Sequence, residues 1–164
     1  MITVGIDLAA RRSGLVVLDD DKIIDSVTID AGAESLGFDT ISKTLVECVL
    51  DALDKQQHID LICIEDLTHR MVKAALPLRL QGALRYVLRQ TYPDVPIEML
   101  LPSVWQSFLG YKRVQGLTTK DWSSFVVHAL GYKFEGTKGK ALTDLNDAAL
   151  IARWGYEKYR KTDG

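Results

Sequence analysis

Cysteine is nearly absent from this chain of 164 residues: there are two, Cys48 and Cys63. They form no CxxC pair and have no histidine partner nearby, which excludes a disulfide framework and a zinc ribbon. Cys48 falls in a helical pattern and Cys63 in a strand, as buried, reduced thiols of a cytoplasmic protein would. No apolar run approaches the ~20 residues that a membrane span needs. The first expected strand begins at Ile2, which leaves no room for a basic head and a cleavable apolar segment. Three histidines, His58, His69 and His128, lack metal-ligand spacing; His69 is the one close in sequence to an acid of interest. Repeats, low-complexity runs and linkers are missing too, so residues 1–164 are expected to form a single domain.

Negative charge is missing from one long stretch. Between Arg70 and Pro93 there are five basic residues and no acid. Residues 1–69 carry a net charge of −9 and residues 70–164 a net charge of +7, so the overall −2 conceals two opposed halves. A near-neutral total does not exclude a polyanionic ligand when the positive charge gathers on one face. A merely solvated helix face has the same composition.

What is present is an ordered alternation of elements. Alternation and β-branched residues predict strands over Ile2–Leu8, Gly14–Leu18 and Ile23–Ile29, joined by the short links "AARRS" and "DDDK" as an antiparallel meander. A helix follows over Ser35–Gln57, with Ile41, Leu45, Val49 and Leu53 on one face. "LICIE", residues 61–65, is a short continuous apolar run that suits a central strand covered on both sides. A second helix is expected over Val72–Gln90, interrupted or begun at Pro77. "VPIEMLL" predicts a fifth strand closed by Pro102. Short helices are expected over Ser103–Leu109 and Thr119–Leu130, and a last helix over Thr143–Tyr159. The fold class is α/β: three antiparallel strands, then parallel ones, in a mixed sheet flanked by helices on both faces.

Four carboxylates stand out against this frame. Asp7 lies near the end of the first strand, in "VGIDLA", and Glu65 ends the fourth, in "ICIED". An apolar strand that ends in an acid is a poor packing choice unless the acid lies at the sheet's edge or works there. If the two strands are neighbours, both acids share one end of the sheet. Asp144 and Asp147, three apart in "LTDLNDAALIARWG", project from one helical face and could be delivered to the same end. Each has a plainer explanation. Asp7 could cap a turn, Glu65 or Asp66 could pair with Arg70, and the two aspartates could face the positive end of the last helix's dipole, in its first turn. Their order along the chain favours a joint role. Four carboxylates in a small space cannot all remain ionised without cations. Hard oxygen ligands suit Mg²⁺, with Mn²⁺ as a substitute. Two such ions ~3.5–4 Å apart would form the clamp of phosphodiester hydrolysis, one generating the attacking hydroxide and the other stabilising the leaving 3′ oxygen.

The sequence "GID…SG…V", the "IE" after an apolar strand and "DLNDAALIA", in that order, resemble the RuvC family of Holliday-junction resolvases within the RNase H-like superfamily. The resemblance covers nearly the whole chain and is strongest in the terminal acid-x-x-acid helix combined with the two upstream acids. It implies an RNase H-like domain and a catalytic, metal-binding tetrad of Asp7, Glu65, Asp144 and Asp147 holding two Mg²⁺ ions. It also implies a homodimer that makes paired nicks across four-way, branched DNA. The basic segment after Glu65 corresponds to the family's helix region for dimerisation and DNA contact. Arg70, Lys73, Arg79 and, in "GYKRVQGLT", Lys112 and Arg113 are the expected DNA-binding residues. Lys120, after "PSVWQSFLG", is the candidate cation for steadying the phosphate in the transition state; the plain alternative is a surface lysine near a helix start.

The chain departs from the family in two places. Leu8-Ala9 stands where members usually carry Pro-Gly after the first aspartate. "DLTHRMVK" supplies no aromatic wedge in the loop after the second acid. Trp105 and Trp122 are expected in the core rather than under bases.

Three other functions fit parts of the pattern. "GID" before a hairpin also opens the actin-like and sugar-kinase fold, but that fold needs two lobes, and no Gly-rich phosphate cradle follows here. A binding module could hold branched DNA without cutting it. Relatives of this fold also cut forks or flaps or process RNA. The sequence points to no particular helicase or other recombination partner.

Overall fold

The computed structural model describes residues 1–67, 75–112 and 115–161. Five strands form one sheet: β1 (Ile2–Asp7), β2 (Arg12–Asp19), β3 (Lys22–Asp30), β4 (Leu61–Glu65) and β5 (Ile97–Leu100), in the order β3-β2-β1-β4-β5. β1, β2 and β3 form the expected antiparallel meander, while β4 and β5 run parallel to β1. The helices are α1 (Phe38–Leu53), α2 (Ala75–Thr91), α3 (Pro102–Phe108), α4 (Thr119–Ala129) and α5 (Gly139–Arg160).

Strand alternation divides the core in two. Val4, Ile6, Leu15, Val17, Ile62 and Ile64 point to one face, where they meet Ile41, Leu45 and Val49 of α1 and Leu80, Leu84 and Leu88 of α2. The opposite parity, with Val16, Leu18, Leu61 and Cys63, faces α5 and the short helices α3 and α4. The central strands are therefore covered on both sides, and "LICIE" is buried along its whole length. Trp105 and Trp122 belong to the second core, with ring centroids 6.2 Å apart. Cys63 is buried there as a free thiol, its pKa pushed up by desolvation, and Cys48 is half-buried and also free. No helix of the described residues is long and apolar enough to cross a membrane.

Several expected boundaries shift. The first helix begins at Phe38 rather than Ser35, after a 3-10 turn at Glu34–Leu36, because Gly37 has the positive φ of 81° that interrupts the helical run. It ends at Leu53, short of Gln57. The second helix is described from Ala75, with Pro77 at its third described position. The fifth strand keeps only its centre, Ile97–Leu100.

The shift that bears on the acids is at the last helix. It starts at Gly139 instead of Thr143, so its first turn contains no acid. Asp144 and Asp147 lie beyond that turn, where the dipole no longer rewards a negative charge strongly. Their expected place in the first turn is thus corrected, and with it the helix-end explanation for their pairing loses its basis.

Candidate active site

The site is assembled by register and by close approach. In the β1–β4 ladder Ile6 pairs with Ile64, so Asp7 and Glu65 are the next residues on neighbouring parallel strands. Adjacent strands lie about 4.8 Å apart. Both acids have the parity of Gly5 and Cys63, which places them on the α5 side of the sheet. Glu65 is 5% exposed, a degree of burial rare for a carboxylate, and Asp7 is half-buried.

α5 reaches them because the sheet beneath it lacks side chains where the helix passes. A Cβ on Gly5 would stand 2.1 Å from the Ala148 carbonyl oxygen, and one on Gly14 would stand 2.3 Å from the Asp144 carbonyl oxygen. On the helix itself Ala148, Ala152 and Gly155 face the strands, and a Cβ on Gly155 would meet Cys63 and Leu61. Glycine within a strand commonly marks this kind of backbone approach. Gly14 is the antiparallel partner of Asp7. Asp144 is therefore seated over the residue that pairs with Asp7, and Asp147, half-buried, follows one turn along the same helical face. The four acids converge on one end and one face of the sheet.

The turn after Asp7 closes without Pro-Gly. The Ala9 N–H donates to the Ser13 hydroxyl oxygen at 3.1 Å, and that hydroxyl lies 3.2 Å from the Ala9 carbonyl to which it donates. Leu8 and Ala10 bury their side chains against the first core. On the β4 side the chain after Glu65 is tethered by Gln81 of α2, whose amide oxygen accepts from the Leu67 N–H at 2.9 Å and whose amide nitrogen donates to Asp66 at 3.4 Å. Arg12, at the start of β2, donates from Nε to Asp144 Oδ2 at 2.5 Å.

Gln81 and Arg12 were not legible as site residues from the sequence. Gly5, Ser13 and Gly14 stood in the "GID…SG" pattern, but their own roles, close approach and turn closure, were not read there. Nothing in the sequence pairs Arg12 with a residue so far along the chain.

The donor set suits a hard divalent cation: four carboxylates, with no thiolate or imidazole. Among the described residues, however, no three Asp, Glu, His or Cys side chains form a ready-made cation site. Asp144 is instead engaged by a guanidinium.

The expected cationic residues divide. Arg79 is exposed on α2, its guanidinium 4.2 Å from the centroid of the Phe38 ring, on the side of the sheet away from α5. Lys112 is exposed in the loop after α3. Lys120 is exposed in the first turn of α4, and among the described residues no ion pair joins it to the four acids. Arg70, Lys73, Arg113 and His69 lie outside the described residues.

The sequence matches no protein-family model and no curated protein. Solved structures do match. A Thermus thermophilus RuvC superimposes with a TM-score of 0.74 at 17% identity, covering 99% of this chain and 98% of that one. A T. thermophilus RuvC in complex with Holliday junction substrate gives 0.73 at 18% identity, covering 99% and 97%. The yeast mitochondrial Holliday junction resolvase Ydc2 gives 0.60 at 15%, covering 97% of this chain and 81% of its own. The mixed sheet, the helices on its two faces and the acid-bearing last helix together have the fold of the RuvC resolvases, over the whole length of the chain.

Proposed function

We propose that this protein is a divalent-metal-dependent, structure-specific DNA endonuclease that resolves four-way junctions by paired nicks. One observation carries the proposal. Asp7 and Glu65 end adjacent parallel strands, and a glycine-lined approach brings Asp144 and Asp147 of α5 to the same end of the sheet. Packing alone does not require this placement. Beneath Asp144 the sheet offers Gly14, which has no side chain, flanked by the charged Asp7 and Arg12, so the approach buries little apolar surface at this end.

Asp7, Glu65, Asp144 and Asp147 would hold Mg²⁺, or Mn²⁺ in its place, and the metal would supply Lewis acidity and a water of lowered pKa. The chain's own residues do the positioning. Ser13 closes the turn that fixes Asp7, Gln81 fixes the segment after Glu65, and Gly14 sets the height of Asp144 above the sheet. The burial of Glu65 limits water around the reacting phosphate and strengthens electrostatic interactions there. Exposed cations such as Lys112 would hold phosphates in register without reading bases, and Lys120 is the candidate for steadying the developing charge. Two symmetric nicks need two such sites, hence a homodimer on the junction.

The test compares the purified protein and its Asp7→Asn variant on labelled four-way, forked and linear DNA, with Mg²⁺ or with EDTA. The expected result is paired nicks on the four-way substrate, abolished by EDTA and by Asp7→Asn while junction binding persists. Cutting confined to forks or flaps would move the substrate assignment within the nucleases. Binding without cutting in Mg²⁺ or Mn²⁺ would replace the enzyme with a binding module.

A further inference from the structure

We propose that Arg12 is a built-in counter-cation of the acid cluster, holding Asp144 and competing with a divalent ion for it. The inference rests on the nuclease proposal, since it concerns how that site takes its metal. Arg12 and Gly14 are two apart on β2 and so share the α5 face. Gly14 leaves the space that the backbone of Asp144 occupies, where a Cβ would stand 2.3 Å from its carbonyl oxygen, and Arg12 takes its side chain, with Nε at 2.5 Å from Oδ2. The pair is largely shielded from water: the side chains are 27% and 14% exposed.

Two physical facts give this pairing a consequence. A guanidinium cannot lose its proton in a protein, so its charge is permanent. Four carboxylates gathered at one end of a sheet repel one another unless cations offset them, and Arg12 offsets one of the four charges. Any divalent ion drawn to the cluster meets this positive charge at Asp144 and must displace it or share the carboxylate with it. Arg12 therefore lowers the affinity of the cluster for the metal and stabilises the protein when metal is scarce. A purely orienting arginine would have the opposite effect, because its loss would leave Asp144 misdirected and weaken metal binding.

The sign of the change separates these cases, and it is read without DNA or catalysis. Mn²⁺ binding would be measured by calorimetry for the wild type and for Arg12→Gln, Arg12→Met, Arg12→Lys and Asp7→Asn. Loss of the charge is expected to tighten Mn²⁺ binding by about tenfold or more, whereas Arg12→Lys, which keeps the charge, stays close to the wild type. In EDTA the Arg12→Gln protein should melt at a lower temperature than the wild type and gain more from added Mn²⁺. Arg12→Met, which keeps the apolar stem, carries the same expectation should Arg12→Gln fold poorly. Unchanged or weaker Mn²⁺ binding in both neutral variants would overturn the role of Arg12 and leave the nuclease proposal standing. If the wild type bound no Mn²⁺, or bound it equally after Asp7→Asn, the metal-dependent nuclease would fall and this inference with it.

Discussion

The carbonyl oxygen of Asp144 lies 2.3 Å from the point where Gly14 would carry a Cβ, closer than any side chain could tolerate. Gly14 pairs across the ladder with Asp7. One missing methyl group thus couples an acid at the end of β1 to an acid near the start of α5, more than a hundred residues later in the chain.

Gly14→Ala should therefore damage stability and activity together. The added methyl meets backbone rather than a flexible side chain, so α5 has to lift off β2. Overpacking of this kind costs about 1–3 kcal/mol. Urea unfolding of the variant should show a lower midpoint with an unchanged slope, and nicking should fall even under conditions where the variant remains folded. A variant as stable and active as the wild type would show that the helix can shift without cost.

Asp147→Asn should separate binding from chemistry. It keeps the shape of the side chain and removes its charge, so cleavage should fall by at least about 10²-fold. Junction affinity measured in EDTA should hold or improve, because a negative charge near the phosphates is gone. Parallel loss of binding and cleavage would instead assign Asp147 to DNA docking.

Gln81 acts at a distance from the acids. Gln81→Ala leaves the buried Leu67 N–H without its acceptor, a loss of about 1–3 kcal/mol for an unsatisfied buried group. The segment that follows Glu65 then loses its anchor. Chemical denaturation should register the loss, and single-turnover cleavage should slow while junction affinity is kept. Gln81→Glu, which retains the accepting oxygen but replaces the amide that donates to Asp66 with a second carboxylate, should recover only part of the stability, and less of it as the pH rises above the carboxylate range.

Acid stability should carry the mark of the α4 cap. The Thr118 hydroxyl and then the Thr118 N–H donate to the Asp121 carboxylate, at 2.6 Å and 3.0 Å, and hold its pKa below the ordinary value. A carboxyl whose pKa is depressed by folding stabilises the native state above its unfolded pKa, near pH 4. That contribution is lost as pH falls through the lower folded value. Wild type should be more stable than Asp121→Asn near neutrality, and the gap between their thermal midpoints should close as the pH is taken from 6 toward 3. A gap that stayed constant or widened on acidification would contradict the capping role.

Much of this protein could be read along the chain. The period-2 runs of β1 to β3, the continuous apolar "LICIE" and the fourfold spacing of Ile41, Leu45, Val49 and Leu53 are local signals, and each element formed where its pattern lay. The Thr118–Asp121 capping box fixed the start of α4 in the same local way. The four acids also stood out, because a carboxylate closing an apolar strand contradicts its surroundings. Element ends were less legible. The last helix begins four residues earlier than expected, at Gly139, whose positive φ of 62° at the helix start no apolar pattern signals.

Tertiary structure alone decided the rest. Strand parity and register determine that Asp7 and Glu65 share a face, and register is a property of two strands together. The descent of α5 onto Gly5 and Gly14 required all three elements at once. The Arg12–Asp144 pair joins residues that no local pattern connects, and it exists because folding places a permanent positive charge opposite a half-buried carboxylate. Sequence specified which side chains were available; the sheet and the close approach of one helix determined which of them meet.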